Sequence, residues 1–170
     1  MKTNYLFPTR FKKLGWLIFC PAMLFTIIIK YSYLLFPDQT NPSIVSFVDL
    51  FNTTVFAIMG NNFDGENIYF KLIENNILNE IFLVLSIISL LFIGFSKEKH
   101  EDELIAKIRT ESLVWATYVN YIILLLCILF IFNLDFLYVI EFNIFTILIF
   151  FIIRFNLKVA KLNKSLRHEE

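Results

Sequence analysis

Residues 113–132 read LVWATYVNYIILLLCILFIF, a run of about 20 residues that contains no charged side chain. A helix of that length rises about 30 Å at 1.5 Å per residue, which matches the hydrocarbon core of a bilayer. The helices of soluble proteins need only one apolar face, whereas this run is apolar on nearly every side. The run therefore predicts a membrane-spanning helix.

The rest of the chain has the composition of an integral membrane protein. Hydrophobic residues make up 58% of the 170 residues and the mean hydropathy is +0.68, above the apolar share of soluble domains. Only four Gly and four Pro are present, so helix breakers are scarce. Three more apolar stretches, at 14–36, 77–95 and 136–153, have about the length of a span. We predict an all-α fold, built as a transmembrane bundle of four helices.

The basic residues predict the orientation of this bundle. Of the 15 Lys and Arg residues, 13 lie in the segments 1–13, 96–112 and 154–170. Basic segments favour the cytoplasmic side, and four spans place all three segments there. Segments 37–76 and 133–135 are then external. Trp16 and Trp115 fall at the predicted inner boundary, as an aromatic belt requires.

Two segments outside the spans have helical patterns of their own. Residues 43–59 carry apolar side chains at helical spacing and polar side chains on the opposite side, which predicts an interfacial outer helix lying on the membrane. Residues 96–112 are the most charged part of the chain and contain acidic and basic residues at i,i+4 spacing. They predict a short charged cytoplasmic helix.

The charged cytoplasmic segment contains the candidate binding residues. Its charges are typical of a solvated helical elbow, and they are also typical of a docking surface for a protein partner. The second hypothesis assigns partner binding to Glu101, Asp102, Glu103, Arg109 and Glu111. His100 has no second nitrogen or sulfur ligand at helical spacing, so we predict no metal site and no cofactor.

Five polar residues inside the predicted spans are candidates for a functional role. Lys30, Glu80 and Glu141 lie about 24, 22 and 18 Å from the cytoplasmic ends of their spans. Such side chains either snorkel to the headgroups or pair with one another, so our hypothesis pairs Lys30 with Glu80 or Glu141. Asn120 and Asn143 lie deeper in the predicted frame, and amides there bond across helices. We expect these two side chains to face each other or one another's helices.

Several short segments resemble an uncharacterised family of small four-helix inner-membrane proteins from Bacteroidetes bacteria. They are residues 11–16 (FKKLGW), 95–99 (FSKEK), 101–115 (EDELIAKIRTESLVW), 142–146 (FNIFT) and 154–155 (RF). The resemblance covers the first 20 or so residues and most of the chain after residue 72. It implies residence in the bacterial inner membrane with four helices, and it implies no activity.

The sequence motifs favour a non-enzymatic function. The chain has no G-x-S-x-G, H-E-x-x-H or Gly-rich phosphate loop, so we predict that it is not an enzyme. Its 15 acidic residues balance its 15 basic ones, which argues against nucleic acid as a partner. We expect a regulatory or partner-binding membrane protein whose partners are the lipid bilayer and a cytoplasmic or membrane protein. The alternative is a transporter or channel, made as a homo-oligomer, that uses Lys30, Glu80 and Glu141.

Overall fold

The computed structural model describes residues 6–35, 42–61, 67–99, 101–133 and 135–168, and 76% of these residues are helical. Five helices and one hairpin follow each other along the chain. They are α1 (Thr9–Leu35), α2 (Pro42–Asp49), β1 (Asn52–Asn61), β2 (Asn67–Asn76), α3 (Leu78–Gly94), α4 (Glu103–Phe130) and α5 (Asp135–His168). The chain forms two compact units. Unit 1 contains Met1–Phe19 and Ile87–Glu170, and unit 2 contains Cys20–Ser86.

Among the described residues, three helices are long and apolar enough to cross a membrane. The candidate spans are Thr9–Ile28 of α1, Glu103–Phe130 of α4 and Phe136–Ser165 of α5, and in α4 the charged residues precede the apolar stretch that starts at Leu113. Only 11% to 17% of the most apolar windows of these helices is buried inside the protein, so most of their apolar surface needs lipid or a partner. This architecture is compatible with an integral membrane protein. The stretch predicted as the remaining span coincides with α3, which is apolar but has only 17 residues.

The predicted interfacial helix at 43–59 is wrong beyond its first half. The helix ends at Asp49, and β1 then pairs antiparallel with β2 from Asn52↔Asn76 to Asn61↔Asn67. Thr53, Thr54, Val55 and Phe56 are β-branched or aromatic residues, which favour a strand, and a matching strand follows within reach of a hairpin. The all-α prediction is corrected accordingly.

The predicted short helix at 96–112 does not exist as a separate element. Asp102 caps the start of α4, since its Oδ1 accepts a hydrogen bond from the Ile105 backbone N–H at 2.8 Å. The helix then continues into the apolar stretch and ends at Phe130. No Gly or Pro interrupts these residues, so the charged part and the apolar part form one helix.

Unit 1 is held together by close helix packing. Phe151 and Phe155 of α5 are 0% and 1% exposed. A Cβ added to Gly94 would lie 2.8 Å from Cε1 of Phe151, and one added to Gly15 would lie 2.8 Å from the backbone oxygen of Ser89. Because real contacts are longer, both glycines are required by close approach of the neighbouring element.

Unit 2 contains a group of hydrogen bonds at the base of the hairpin, all made by the Asn76 side chain. Nδ2 of Asn76 donates to the Val48 oxygen at 2.6 Å and to Oδ1 of Asn52 at 2.7 Å. Oδ1 of Asn76 accepts from the Leu78 backbone N–H at 3.1 Å, at the first residue of α3. One side chain thus joins α2, β1 and α3.

Candidate functional site

The most constrained polar site in unit 1 is centred on Arg109 of α4. This residue is 5% exposed, and its Nη1 donates to the backbone oxygens of Gly94 at 2.9 Å and Ser96 at 3.1 Å. Its Nη2 donates to both carboxylate oxygens of Glu101, at 3.0 and 2.9 Å. We call this residue and its surroundings the Arg109 junction, defined by Lys12, Gly94, Ser96, Glu98, Glu101, Arg109 and Phe155.

The electrostatics of the junction explain how a buried cation is tolerated. The oxygens of Gly94 and Ser96 lie at and just beyond the C-terminal end of α3, where the helix dipole favours positive charge. Glu101 compensates the charge, since both of its carboxylate oxygens accept charge-assisted hydrogen bonds from Nη2. The guanidinium carbon also lies 4.5 Å from the ring centroid of Phe155 on α5. Arg109 therefore joins α3, the loop after it, α4 and α5.

The N-terminal arm, which is the described part of segment 1–13 (residues 6–13), belongs to the same junction. The Phe7 backbone N–H donates to the Phe95 oxygen at 2.9 Å, and the Phe7 oxygen accepts from the Lys97 N–H at 2.8 Å. Lys12 of α1 forms an ion pair with Glu98 and donates to Oδ1 of Asn156 at 3.1 Å. These bonds attach the arm both to the segment that follows α3 and to α5.

A second charged cluster lies along α4 and α5. Nζ of Lys158 donates to Glu111 at 2.8 Å, and this hydrogen bond, with the lysine charge, holds the pKa of the Glu111 carboxyl below its usual value. Glu111 precedes the apolar stretch of α4 and lies outside it. One turn before Lys158, the Arg154 guanidinium lies 4.3 Å from the ring centroid of Trp115.

Two side-chain amides meet in the apolar part of unit 1, one of them buried and the other half-buried. Nδ2 of Asn143 on α5 donates to Oδ1 of Asn120 on α4 at 3.2 Å, and Asn120 is 3% exposed. Such a bond between apolar helices contributes about 0.6–1.7 kcal/mol. The structure thus brings together the two amides that the sequence placed at similar depth.

The three ionisable residues of the pairing hypothesis lie in three different helices. Glu80 is exposed in the first turn of α3 and accepts a hydrogen bond from Asn75 at 3.2 Å. Glu141 is half-buried in α5 and belongs to unit 1, whereas Glu80 belongs to unit 2. Lys30 is part of α1, but its side chain lies outside the described residues. The pairing of Lys30 remains a hypothesis.

The five residues of the predicted docking surface have different surroundings. Glu101 and Arg109 bind each other inside the junction, and Asp102 caps α4. Glu111 binds Lys158 while remaining largely exposed. Glu103 is exposed in the first turn of α4.

His100, the histidine considered as a metal ligand in the sequence, lies outside the described residues. Among the residues that the structure describes, no group of three or more His, Cys, Asp and Glu side chains is arranged to hold a metal ion.

Sequence reasoning missed the roles of Lys12, Glu98 and the two glycines. Their contacts join residues that are distant in sequence, such as Lys12 and Glu98, and no local spacing encodes them. The available signal was the small number of Gly residues, because Gly15 lies inside α1, where Ala would be a better helix former.

Comparison of this chain with protein-family models, with curated proteins and with solved structures finds no match.

Proposed function

We propose that this chain is a four-span protein of the bacterial inner membrane, with both termini in the cytoplasm, that binds a protein partner and catalyses no reaction. The sequence resemblance and the basic segments support the location. The Arg109 junction is the single observation that carries the proposal, because it bears on both the topology and the binding surface.

The junction supports four spans through a parity argument. Backbone hydrogen bonds join Phe7 to Phe95 and Lys97, so the N-terminal arm and the segment after α3 share one side of the membrane. The chain leaves that side through α1 and must return before residue 95. Within the described residues, α3 is the apolar helix that lies between them. Its 17 residues rise about 25 Å, and a bilayer can thin to match a slightly short span.

The same junction favours a binding role over a catalytic one. Its strongest acid and base groups are fixed in intramolecular pairs: Arg109 with Glu101, and Lys12 with Glu98. A pair of this kind rigidifies the backbone of α4, and a rigid helix loses less entropy when it binds. The junction is therefore better suited to holding a surface in place than to transferring protons.

That surface is the start of α4. Leu104 is 48% exposed between two exposed charged residues, Glu103 and Lys107. Leu104 lies nine residues before Leu113, about 13 Å from the apolar boundary, so lipid acyl chains do not cover it in the proposed frame. An exposed apolar side chain surrounded by charge is typical of a protein contact. We name Glu103, Leu104 and Lys107 the α4 surface.

Photo-crosslinking in living cells tests this surface. A photoreactive residue at position 104 should give one discrete product with another protein, and Glu103→Lys should reduce its yield. Position 161 on α5 is the matched control, because Lys161 is also exposed and belongs to the same unit. Equal yields at the two positions would contradict the proposal. Products made only of this chain would favour the homo-oligomer that the transporter alternative requires.

A further inference from the structure

Arg154 differs from Arg109 in how its guanidinium is used. The Arg109 guanidinium donates four hydrogen bonds through Nη1 and Nη2, whereas Arg154 makes none to another described residue, and its guanidinium carbon lies 4.3 Å from the centroid of the Trp115 ring. Its Nε is buried and has no hydrogen-bond partner in the described structure, which is also true of Nε of Arg109, so the two residues differ in the hydrogen bonds of their Nη groups. A buried unpaired donor costs free energy, and a guanidinium is charged at every relevant pH. The arrangement is that of a cation held ready for an acceptor.

The charges around Arg154 define what that acceptor must be. Lys107, Arg154 and Lys158 all lie close enough to Glu111 to act on its charge. These residues are three cations and one anion, and Glu103, four residues before Lys107 on α4, adds a second anion, so one positive charge remains in excess. Lys158 already bonds the Glu111 carboxylate, so that carboxylate does not neutralise Arg154. The cluster therefore favours an anion that is brought from outside the chain.

The neighbouring surface is apolar. Val114 is 48% exposed next to Trp115, and Ile153 is 51% exposed next to Arg154. Leu157, one turn further along α5, is 65% exposed. In the proposed frame, Arg154 and Trp115 lie at the inner boundary of the hydrocarbon core. An anion that fits here carries a negative head group and an apolar tail.

We propose that Arg154 and Trp115 form a binding site for the phosphate of an anionic phospholipid on the cytoplasmic side of the membrane. Trp115 holds the guanidinium plane, and the free N–H groups of Arg154 donate charge-assisted hydrogen bonds to the phosphate oxygens. The acyl chains lie along the exposed apolar surface of α4 and α5. Arg154 and Trp115 are not part of the α4 surface, although Lys107 contributes charge to both, and the site rests on the membrane location and orientation given in the proposed function.

Lipid titration of the detergent-purified full chain tests the site. Native mass spectrometry should show phosphatidylglycerol bound to the folded protein, and Arg154→Gln should weaken that binding by about tenfold, the loss expected for one charge-assisted contact. Lys161→Gln removes the same charge from an exposed position on the same helix and should leave binding unchanged. Arg154→Lys keeps the charge but loses the planar fork, so it should bind with intermediate affinity.

Several results would overturn the proposal. Equal losses in Arg154→Gln and Lys161→Gln would show unspecific attraction of anions by the basic helix. Inorganic phosphate that competes fully with phosphatidylglycerol would show a site for soluble phosphate instead of lipid. Phosphatidylcholine that binds as tightly as phosphatidylglycerol would exclude the role of net charge. In the mass spectra only the signals of folded protein are used, so the affinity can be measured even for a variant that folds poorly. The affinity of Arg154→Lys provides a second check.

Discussion

At the scale of single residues, Arg109 shows how far a charge pattern can be interpreted. Its place in a charged segment predicted a surface residue, because arginine is rarely buried. In the structure it is 5% exposed and bonded to Glu101 and to the oxygens of Gly94 and Ser96. The helix containing it could be predicted from composition. The inward direction of its side chain could not, because it depends on where α3 ends in space.

Replacement of Arg109 should strongly destabilise unit 1. Arg109→Met leaves the Glu101 carboxylate, which is 14% exposed, without its partner, and such a loss costs about 3–5 kcal/mol. Arg109→Lys should cost less, because it keeps the charge but has one nitrogen in place of Nη1 and Nη2, which bond the backbone oxygens and Glu101 separately. The measurement is the unfolding free energy in mixed micelles, with Lys161→Met as the exposed control.

A double-mutant cycle separates the pair from simple loss of packing. The double variant Arg109→Met, Glu101→Gln should recover part of the stability lost in Arg109→Met, because no buried charge is left unpaired. If the double variant were as unstable as the sum of the two single variants, the coupling between Arg109 and Glu101 would be excluded.

At the scale of elements, the prediction succeeded for long helices and failed for the hairpin. The apolar stretches of α4 and α5 are longer and apolar on more sides than the helices of soluble proteins require. They therefore suit a lipid surrounding, and their length identifies them as spans in the sequence. Residues 52–61 are short and carry apolar side chains at intervals that fit a helix as well as a strand. The partner strand at 67–76 decides between the two, and only pairing in three dimensions makes it visible.

The hydrogen bonds of the Asn76 side chain should control the stability of the hairpin formed by β1 and β2. Asn76→Ala removes three hydrogen bonds that join α2, β1 and α3, and should cost about 1–3 kcal/mol. We expect faster amide hydrogen exchange in β1 and β2, since a two-stranded hairpin is marginally stable without support. Asn75→Ala removes a single exposed bond to Glu80 and is the matched control. Equal exchange in both variants would show that Asn76 does not hold the hairpin.

At the scale of the whole molecule, the distribution of charge carries more information than any single motif. The three basic segments were expected on one side of the membrane, and the contacts of Phe7, Lys12 and Lys158 join exactly those segments within unit 1. The side of these segments could be predicted from the sequence, because Lys and Arg in short segments close to the ends of spans favour the cytoplasmic side. The contacts themselves needed the structure.

The crossing of α3 is the point where a three-span and a four-span protein make different predictions. If α3 does not cross, residues 75 and 99 lie on the same side of the membrane; if it crosses, they lie on opposite sides. We expect Asn75→Cys to react with a membrane-impermeant thiol reagent in intact spheroplasts, and Lys99→Cys to react only after permeabilisation. Cys20 and Cys127 are first replaced by Ser, so that the new thiol is the only one present.

Ser165→Cys reports the location of the C-terminal segment. It should behave like Lys99→Cys, because the hydrogen bond between Lys158 and Glu111 places the two segments on one side of the membrane. Labelling of both Asn75→Cys and Lys99→Cys in intact spheroplasts would exclude the fourth span, and the bonds between Phe7 and the segment after α3 could then not form in the membrane.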